Sequence, residues 1–378
     1  MKVLVNAISA KRGGIVTYTG NLMRAFAEHD VDALFAVPED FPAPQGARIL
    51  RVKASGYSPL RRFAWEQTFW HHTVAQYRPD VLFSSANFSL LHSPVPQVLL
   101  MREGGLFDPT YLVNFAPEQG VAAALQRDWR RRLMLLSAQR AHHIVTPSRA
   151  MRDMLLAWSP GLAARTSVNS YGTLGDAFTP AERPRQWAED GVLRLLYVSV
   201  YYPHKCPGLL CRAVEDLNDR GIPVHATITM ELKEIEATRG GAHDAILVRR
   251  AAERGFLTLG RTPYRELPQL YRSHDLFMFP AIAETFGHPM AEALSCGMPV
   301  VAIDTPINRE VCGDAASYFP PFSVSALCDR ITELHTTPEL RGQLAGRARG
   351  RVLSNFLWDD HVVRLLDTFQ KLKAGVRI

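Results

Sequence analysis

Two glutamates, Glu284 and Glu292, stand eight residues apart in the most informative segment of the chain, residues 275–319. The pattern predicts a buried strand that ends at Pro280, then a loop, then a helix that begins near Pro289. Glu284 would lie in the loop and Glu292 on the helix. Open α/β sheets bind ligands at the carboxyl ends of their parallel strands. The spacing therefore predicts a site in which one ligand contacts both carboxylates.

Two further segments have the chemistry to bind phosphate. Gly13 and Gly14 follow the first predicted strand and precede a helical pattern, where a backbone without side chains can pass close to an anion. Lys205 lies in a predicted loop before a helix, where its charge would suit the same group. A structural turn and an ordinary surface lysine are the alternative interpretations. The dinucleotide pattern G-x-G-x-x-G is absent, so no cofactor is expected.

The sequence predicts no metal site. Asp30 and Asp32 form a D-x-D pattern, but they stand between a predicted helix and a strand and are interpreted as solvated turn carboxylates. The neighbouring histidines 71–72 and 142–143 cannot both face one site. The five cysteines are odd in number and form no C-x-x-C pair, which excludes a thiolate zinc site and a disulfide framework and favours a reducing cytoplasm.

Short apolar runs alternate with helical patterns along the whole chain, which predicts βαβ units, parallel sheets and an α/β fold. We predict ten strands, in the runs 2–8, 32–37, 80–85, 96–101, 142–147, 193–200, 225–230, 257–260, 275–280 and 299–303. Residues 172–191 are rich in Gly, Pro and charge, as an interdomain linker would be. The predicted domains are therefore 1–180 and 181–355, followed by an amphipathic terminal helix over 356–378.

The charge of the chain is unevenly distributed. The formal net charge is +6, and all of the excess lies in residues 1–180. The densest cluster is 127–132, in which four arginines surround Trp129. This pattern suits an anionic membrane surface or a phosphorylated partner, and a solvated helix face is the alternative. No nucleic-acid partner is expected, and no apolar run has the length of a membrane span.

Residues 284–302, ETFGHPMAEALSCGMPVVA, resemble the E-x7-E signature of the retaining GT-B glycosyltransferases of family four. The glycine turn, residues 146–155, the Lys205 loop, residues 309–319 and the terminal helix resemble that family in the same order. The resemblance implies two doubly wound, Rossmann-like domains that face each other across a cleft, with the terminal helix packed back on the first domain. The second domain would bind a nucleoside diphosphate sugar, and the first would bind most of the acceptor.

The resemblance also implies a role for each matching residue. Glu284 would contact the donor sugar and is the candidate catalytic residue, although no nucleophile is assigned. Glu292 would bind the ribose hydroxyls, and Lys205 would bind the diphosphate. The other expected contacts to the donor phosphates are backbone N–H groups of Phe286, Gly287 and His288 and the turn at Gly13 and Gly14. Fixed cations and N–H dipoles would stabilise the departing diphosphate without a metal.

Three positions differ from the family pattern. Val200 stands where an arginine is usual, five residues before the lysine. Family members often have a histidine after the fourth strand of the first domain. The corresponding segment of this chain has none, so Arg102 and Glu103 are the acceptor-side candidates. Tyr171 precedes Gly172 where asparagine is common. These differences concern the number of cations and the acceptor more than the fold.

The expected activity is retaining, metal-independent transfer of a hexosyl group from a nucleoside diphosphate sugar to a hydroxyl acceptor, which a lipid could carry, in bacterial polysaccharide or glycolipid assembly. Residues 201–205 resemble those of mannosyltransferases, which favours GDP-mannose over UDP-sugars. The expected location is the cytoplasm, with peripheral contact to the inner face of the membrane through the basic first domain. The alternatives are a sugar-nucleotide epimerase, a phosphorylase, or a non-catalytic binding protein that the missing arginine would favour.

Overall fold

The structure is a computed structural model that describes residues 1–11, 13–68, 70–173, 177–183 and 185–376. Contacts divide the chain into two compact units, each with its own parallel sheet. Unit 1 comprises residues 1–107, 125–170 and 359–378. Unit 2 comprises residues 108–124 and 171–358.

In the described residues, seven parallel strands form the sheet of unit 1. They are β1 (Lys2–Asn6), β2 (Asp32–Pro38), β3 (Ile49–Val52), β4 (Val81–Ser84), β5 (Gln97–Leu100), β6 (His143–Thr146) and β7 (Thr166–Val168). Their spatial order is β3-β2-β1-β4-β5-β6-β7. The order reverses between β1 and β4, and such a reversal leaves a crevice at the carboxyl edge of the sheet.

Helices follow most of these strands. They are α1 (Gly14–Glu28), α2 (Pro59–Thr68), α3 (Trp70–Tyr77), α4 (Pro109–Asn114), α5 (Gly120–Arg140) and α6 (Arg149–Trp158). The central strands are buried along almost their whole length, as expected when helices cover both faces of a parallel sheet. On one face, Trp70 packs in a cluster with Leu4 and Leu82.

Unit 2 contains six described parallel strands. They are β8 (Leu193–Tyr197), β9 (Val224–Ile228), β10 (Leu257–Leu259), β11 (Leu276–Phe279), β12 (Val300–Ile303) and β13 (Ala316–Phe319). Their order, β10-β9-β8-β11-β12-β13, reverses between β8 and β11. Each sheet therefore reverses beside its own first strand, and the predicted α/β fold of two doubly wound domains is confirmed.

The remaining helices belong mainly to unit 2. They are α7 (Pro207–Asp219), α8 (Leu232–Ala237), α9 (Ala242–Glu253), α10 (Leu267–Arg272), α11 (His288–Ser295), α12 (Pro306–Cys312), α13 (Val324–Thr336), α14 (Pro338–Asn355) and α15 (Trp358–Lys373). No helix in the described ranges combines the length and apolar character needed to cross a bilayer.

All ten predicted strands are present, and three further strands, β3, β7 and β13, were missed. Each of the three lies at the edge of its sheet and is only partly buried. An edge strand is covered less completely than a central one, so its sequence need not contain a continuous apolar run, although the edge strand β10 is predicted from its run over 257–260.

The units differ from the predicted domains mainly at residues 108–124. This segment precedes the linker in sequence, yet it packs within unit 2. The rings of Tyr111 and His204 meet edge to face with centroids 5.4 Å apart, and those of Phe115 and Phe322 are 6.2 Å apart. Hydrophobic periodicity in the sequence predicts a local helix or strand, but it does not predict contacts between distant segments.

The described start of the linker is tied to the end of α14. Thr173 N–H donates to the Phe356 carbonyl at 2.8 Å, and Trp358 N–H donates to the Thr173 carbonyl at 3.3 Å. A Cβ at Gly172 would lie 2.2 Å from the Leu357 carbonyl carbon. Only glycine lets the two backbones approach this closely.

The terminal helix α15 packs on the core of unit 1. The Phe369 ring lies 5.4 Å from that of Phe83 and 6.4 Å from that of Phe26. His361 is fully buried, and its Nε2 is 3.2 Å from the Tyr18 hydroxyl. These apolar contacts explain the helical spacing of hydrophobic residues in this part of the sequence.

Candidate functional site

The carboxyl edge between β8 and β11 gathers the residues that the resemblance singled out. Residues 198–206 follow β8, and residues 280–287 follow β11. The Ile282 N–H donates to the His204 carbonyl at 2.9 Å, so the two loops are joined directly. The reversal of strand order thus brings together two distant segments of the sequence. Lys205 and Glu284, one from each segment, are 79 residues apart.

Lys205 and Glu284 form an ion pair at this edge. Lys205 Nζ donates to Glu284 Oε1, and the two side chains are only 11% and 15% exposed. The cation and the carboxylate are both largely withdrawn from water, so each depends on the other for charge compensation. An incoming anion would compete with Glu284 for Lys205 and would release the carboxylate to accept hydrogen bonds from hydroxyl groups.

A hydrogen bond from a buried tyrosine holds the backbone at Lys205. The buried Tyr197 hydroxyl donates to the Lys205 carbonyl at 2.8 Å. The next residue, Cys206, has the left-handed φ of 47° and precedes α7. A left-handed residue other than glycine is unfavourable by about 1 kcal/mol, so the tyrosine helps to hold a turn that would otherwise relax.

Glu292 lies one turn inside α11 and is 5% exposed. The Tyr271 hydroxyl donates to its Oε2 at 2.8 Å, and Tyr264 also hydrogen-bonds to the carboxyl. Burial raises the pKa of Glu292 to about 7, against the opposing effect of the two tyrosines. The group is therefore a buried acceptor whose charge changes near neutral pH.

The start of α11 lies between the two glutamates in sequence. Gly287 precedes the helix as its N-cap residue, with φ 79° and ψ 59°, and makes no side-chain cap hydrogen bond. The helix start therefore presents its positive dipole end and backbone N–H groups, the features with which helices bind phosphate. A Cβ at Gly287 would come within 2.5 Å of Met290 Cε, which adds to the strain of any other residue there.

Phe286 and His288 anchor this helix start in a ring cluster. Phe286 is 1% exposed and meets the rings of Tyr171, His288 and Phe356 with centroids 5.1 to 5.6 Å apart. His288 stacks on Tyr171 at 5.0 Å and an interplanar angle of 9°. The family difference at Tyr171 thus has a structural consequence, because this tyrosine packs directly against the predicted phosphate-binding segment.

His204 is a neighbour of Lys205 to which the sequence analysis gave no role. Its ring stacks on Tyr202 with centroids 5.6 Å apart, and its Nδ1 is buried with no hydrogen-bond partner in the described part of the chain. Burial, together with the nearby Lys205 charge, lowers the pKa of His204 to about 3. The imidazole is therefore neutral and adds no second cation beside the lysine.

Of the candidates in unit 1, the structure brings Arg102 to the glycine turn. A Cβ at Gly14 would be 3.9 Å from Arg102 Nη2, and Gly13 and Gly14 form the start of α1 as predicted. Glu103 instead points to α5, where Arg130 Nη2 donates to it at 2.6 Å. The roles of the two glycines toward the donor, and of Arg102 and Glu103 toward the acceptor, stay predictions.

The structure also shows the surroundings of the other residues that the sequence singled out. Val200 is 44% exposed and leaves its position without a charge. Ser148 caps α6 by accepting from the Met151 N–H at 3.0 Å, as its sequence context indicates. Asp32 pairs with Arg48 and accepts from the Tyr77 hydroxyl at 3.2 Å. Among the described residues, no three His, Cys, Asp or Glu side chains are arranged to hold a metal ion.

Sequence reasoning missed the tyrosines that set the environment of the site. Tyr197 and Tyr271 are fully buried and hydrogen-bond to Lys205 and Glu292 respectively. A tyrosine within an apolar stretch reads as a core residue, and only its partner reveals that its hydroxyl supports a site. No signal in the sequence joins Tyr271 to a carboxylate 21 residues away.

Family models match both halves of the chain. The model of the glycosyl transferases group 1 matches residues 180–351, and that of the glycosyl transferase 4-like domain matches residues 13–172. Residues 180–351 therefore belong to the glycosyl transferases group 1, and residues 13–172 form a glycosyl transferase 4-like domain. The first model covers the Lys205 and Glu284 loops, and the second covers the glycine turn, so the resemblance read from the motifs is confirmed.

Two curated relatives illustrate the range of the family. O-antigen chain mannosyltransferase B of Escherichia coli is 31% identical over 137 residues, which are 35% of this chain and 36% of that protein. D-inositol 3-phosphate glycosyltransferase of Thermomonospora curvata is 27% identical over 287 residues, 73% of this chain and 63% of that protein. The chain spans only about one third to two thirds of the length of such relatives.

Solved structures show the same fold. Sucrose-phosphate synthase from Thermosynechococcus elongatus aligns over 99% of this chain and 100% of its own with a TM-score of 0.81 and 17% identity. Anabaena HepE in complex with UDP-glucose aligns over 100% of both chains with a TM-score of 0.73 and 16% identity. At these identities the likeness establishes the GT-B fold alone.

Proposed function

We propose that the chain transfers a hexosyl group from a nucleoside diphosphate sugar to a hydroxyl acceptor, with retention of configuration and without a metal ion. The observation that carries this proposal is the largely buried ion pair of Lys205 and Glu284 near the start of α11, whose N-cap residue is Gly287. This edge holds a cation and a positive helix end for a diphosphate, and a carboxylate for sugar hydroxyls. These are the groups that a nucleotide sugar presents.

Binding would begin with the exchange of partners at Lys205. The diphosphate takes the lysine from Glu284, and the backbone N–H groups of Phe286, Gly287 and His288 face the same anion. Glu284 then accepts hydrogen bonds from the sugar, and the buried Glu292 accepts from the ribose. Donor binding thus replaces the ion pair with a contact between Lys205 and the diphosphate, and Glu284 gains hydrogen bonds from the sugar in place of the lysine.

In the transfer step, the bond from the anomeric carbon to the diphosphate oxygen breaks and the acceptor oxygen takes its place. The electron pair of the broken bond stays on the diphosphate, and the proton of the acceptor hydroxyl leaves to the diphosphate or to solvent. Lys205 and the helix start stabilise the negative charge that grows on the leaving group. Glu284, beside the sugar, stabilises the positive charge that develops on the ring.

We propose GDP-mannose as the donor. The 31% identity to an O-antigen chain mannosyltransferase over 137 residues supports this choice, and the Tyr201–Lys205 segment supports it independently. A UDP-sugar is the second candidate, because the structurally similar HepE was solved with UDP-glucose. Calorimetry with GDP, UDP, GDP-mannose and UDP-glucose distinguishes the two donors. Higher affinity for GDP and GDP-mannose is expected, and higher affinity for UDP and UDP-glucose would contradict the proposal.

A non-catalytic binding protein is the second candidate function, and the uncharged, exposed Val200 is the observation that favours it. Release of nucleoside diphosphate from GDP-mannose in the presence of a mixed hydroxyl acceptor pool separates the two. Turnover that depends on the pool supports a transferase. Turnover that instead requires inorganic phosphate supports a phosphorylase, epimerised sugar nucleotide supports an epimerase, and tight binding without any product supports the binding protein.

We also propose that α5 brings the chain to an anionic membrane surface on the cytoplasmic side. Val121, Leu125 and Trp129 are 78%, 62% and 60% exposed and recur every four residues, so they share one helix face. The exposed Arg132 continues the same face. An interfacial helix combines such an apolar stripe with basic residues, and a lipid-carried acceptor would lie at the same surface.

Vesicle flotation tests the membrane proposal. The wild-type chain should float with vesicles that contain anionic lipid and not with purely zwitterionic vesicles, and Trp129→Ala should reduce flotation several-fold. Leu60→Ala is a matched control, because Leu60 is 65% exposed on α2, away from the stripe. Equal flotation of wild type and the Trp129 variant would assign the stripe no role.

A further inference from the structure

Unit 1 contains a small polar pocket where the strand order of its sheet reverses. β1 ends at Asn6 and β4 ends at Ser84, and the two strands are neighbours at the point of reversal. This is the same topological position that holds Lys205 and Glu284 in unit 2. The carboxyl edge at such a reversal is the usual ligand site of a doubly wound sheet.

The pocket, here called the hydroxyl pocket, is lined by residues from three separate segments. It has room for about one water-sized group. Its lining residues are Asn6, Ser9, Arg62, Glu66, Ala86 and Phe88.

Four polar side chains surround this space. Asn6 Nδ2 donates to Glu66 Oε2 at 3.1 Å, and Arg62 Nε lies 3.5 Å from Glu66 Oε1. The Ser9 Oγ is buried and has no hydrogen-bond partner among the described residues. A buried hydroxyl without a partner is unfavourable by about 1 to 3 kcal/mol, so a group that reaches it gains a favourable contact.

The mixture of groups selects a neutral ligand that both donates and accepts. A carboxylate or phosphate would meet the Glu66 carboxyl, and an ammonium group would meet Arg62, which is 18% exposed. An apolar group would leave Ser9 unsatisfied. An alcohol hydroxyl can donate to Glu66 and accept from Ser9, and it matches the size of the pocket.

Glu66 is not needed to attach its helix to the sheet. The next residue, Gln67, already fastens α2, because its Oε1 accepts from the Leu91 N–H at 2.8 Å and its Nε2 donates to the Ser89 carbonyl at 3.0 Å. Burial of Glu66, which is 6% exposed, raises its pKa to about 7 despite Arg62 and Asn6. A carboxyl that is unfavourably buried at the ligand edge of a sheet is a mark of a binding site.

We propose that the hydroxyl pocket binds one hydroxyl group of a polyol, the acceptor of the proposed transfer, and that Glu66 accepts its hydrogen bond. The identification of the polyol as the acceptor rests on the proposed function, but the binding itself does not. Nothing in the E-x7-E signature or the glycine turn includes Glu66, Arg62, Asn6 or Ser9. The pocket therefore assigns acceptor recognition to residues outside the family motif.

Saturation-transfer NMR on the full chain, without nucleotide, tests the pocket. The probes are methyl α-D-mannoside, methyl α-D-glucoside and myo-inositol, which all present ring hydroxyls. At least one should bind the wild-type chain, and Ser9→Ala and Glu66→Gln should each weaken its affinity about tenfold, the effect of one lost hydrogen bond near a charged group. Glu39→Gln, which removes an exposed carboxylate from unit 1, is the matched control and should bind as wild type does.

Nucleotide affinity and melting temperature, measured on the same variants, separate the remaining outcomes. Unchanged GDP and UDP affinity with weakened polyol binding supports the proposal. Lower melting temperature with unchanged polyol affinity means that a structural water only fills the pocket, and it overturns the proposal, as does failure of all three probes on the wild-type chain. If the wild-type chain binds neither GDP nor UDP, the proposed function is refuted. Polyol binding that Ser9→Ala and Glu66→Gln weaken would still support the hydroxyl pocket as a binding site.

Discussion

The two sheets have the same strand order about their first strand but carry different chemistry at the reversal. In unit 2, Lys205 and Glu284 meet there beside the positive start of α11. In unit 1, the same edge carries Glu66, Arg62 and the Ser9 hydroxyl, which has no hydrogen-bond partner among the described residues. The topology supplies the place, and the side chains of the loops and adjacent helices decide whether that place suits an anion or a neutral hydroxyl.

A buried carboxyl lies near each reversal, but its partners differ. Glu66 lies against Arg62 and Asn6, whereas Glu292 accepts from Tyr271 and Tyr264. Burial raises the pKa of both groups to about 7. The comparison therefore predicts that both units lose stability over the same range of pH, and that variants can assign the loss to one unit or the other.

The largest expected effect is this pH dependence. In the folded chain Glu66 and Glu292 hold their protons to a pH of about 7, and in the unfolded chain only to about 4.5. The contribution of these two carboxyls to the free energy of unfolding should therefore be highest below pH 4.5, fall as the pH rises to 7, and change little above it, by at most about 3 kcal/mol for each group. Glu66→Gln and Glu292→Gln should each remove one part of that fall.

Denaturant unfolding between pH 5 and 8 measures the effect, and each variant must be compared with wild type at every pH. The buried histidines 143, 204 and 361 act in the opposite direction, because their lowered pKa values make stability rise up to about pH 6.5. The difference between wild type and variant cancels their contribution. If the difference in the free energy of unfolding between wild type and Glu66→Gln stays constant with pH, the Glu66 carboxyl has the same pKa in the folded and the unfolded chain.

Removal of the cation at the reversal of unit 2 should have the next largest effect. Lys205→Ala should weaken binding of nucleoside diphosphate by about 1.5 to 3 kcal/mol, the range for a hydrogen bond to a charged group. Lys233→Ala is the control, since Lys233 lies in the same unit and is 81% exposed. Calorimetry that finds equal affinities for the two folded variants would remove Lys205 from the proposed site.

The two glutamates of the signature should separate kinetically. Glu284→Gln should lower kcat about tenfold while nucleoside diphosphate binding stays intact, because Glu284 is proposed to stabilise charge that develops only during transfer. Glu292→Gln should act mainly through the KM of the donor. Steady-state kinetics and melting curves check this, and matched kinetic losses with matched drops in melting temperature would favour a purely structural role for both.

A smaller effect is expected from the glycines that begin the two ligand-edge helices. Gly287→Ala should lower stability by about 1 to 2 kcal/mol, because alanine is strained at φ 79° and its Cβ must displace Met290 Cε. Gly14→Ala should be nearly neutral, because Gly14 is helical and its nearest neighbour would be 3.9 Å away. If thermal unfolding ranks the two the other way, the glycine turn of unit 1 is the more constrained of the two.

The activity at neutral pH should not require an added metal. Lys205 and the start of α11 are proposed to stabilise the leaving diphosphate, so turnover should persist in excess EDTA. The test compares initial rates with EDTA alone and with added Mg²⁺ or Mn²⁺. Complete loss that Mg²⁺ or Mn²⁺ restores would replace this electrostatic scheme with metal assistance.

The sequence by itself determined the interior of both sheets and the E-x7-E motif. Nine of the ten predicted strands lie inside a sheet, where strands covered on both faces need continuous apolar runs, and the tenth, β10, is an edge strand. The segment from Glu284 to Glu292 was recognisable because its strand, loop and helix are consecutive in the chain, so spacing alone places its residues. The glycine before α11 was visible for the same reason.

Only the tertiary structure decided which distant segments meet. The half-exposed edge strands β3, β7 and β13 are defined by their neighbours, and residues 108–124 belong to unit 2 through contacts such as that of Tyr111 with His204. The hydroxyl pocket draws on three stretches of unit 1 that no single motif spans. Local pattern encodes local conformation, whereas the partners of a buried side chain depend on how separate elements pack.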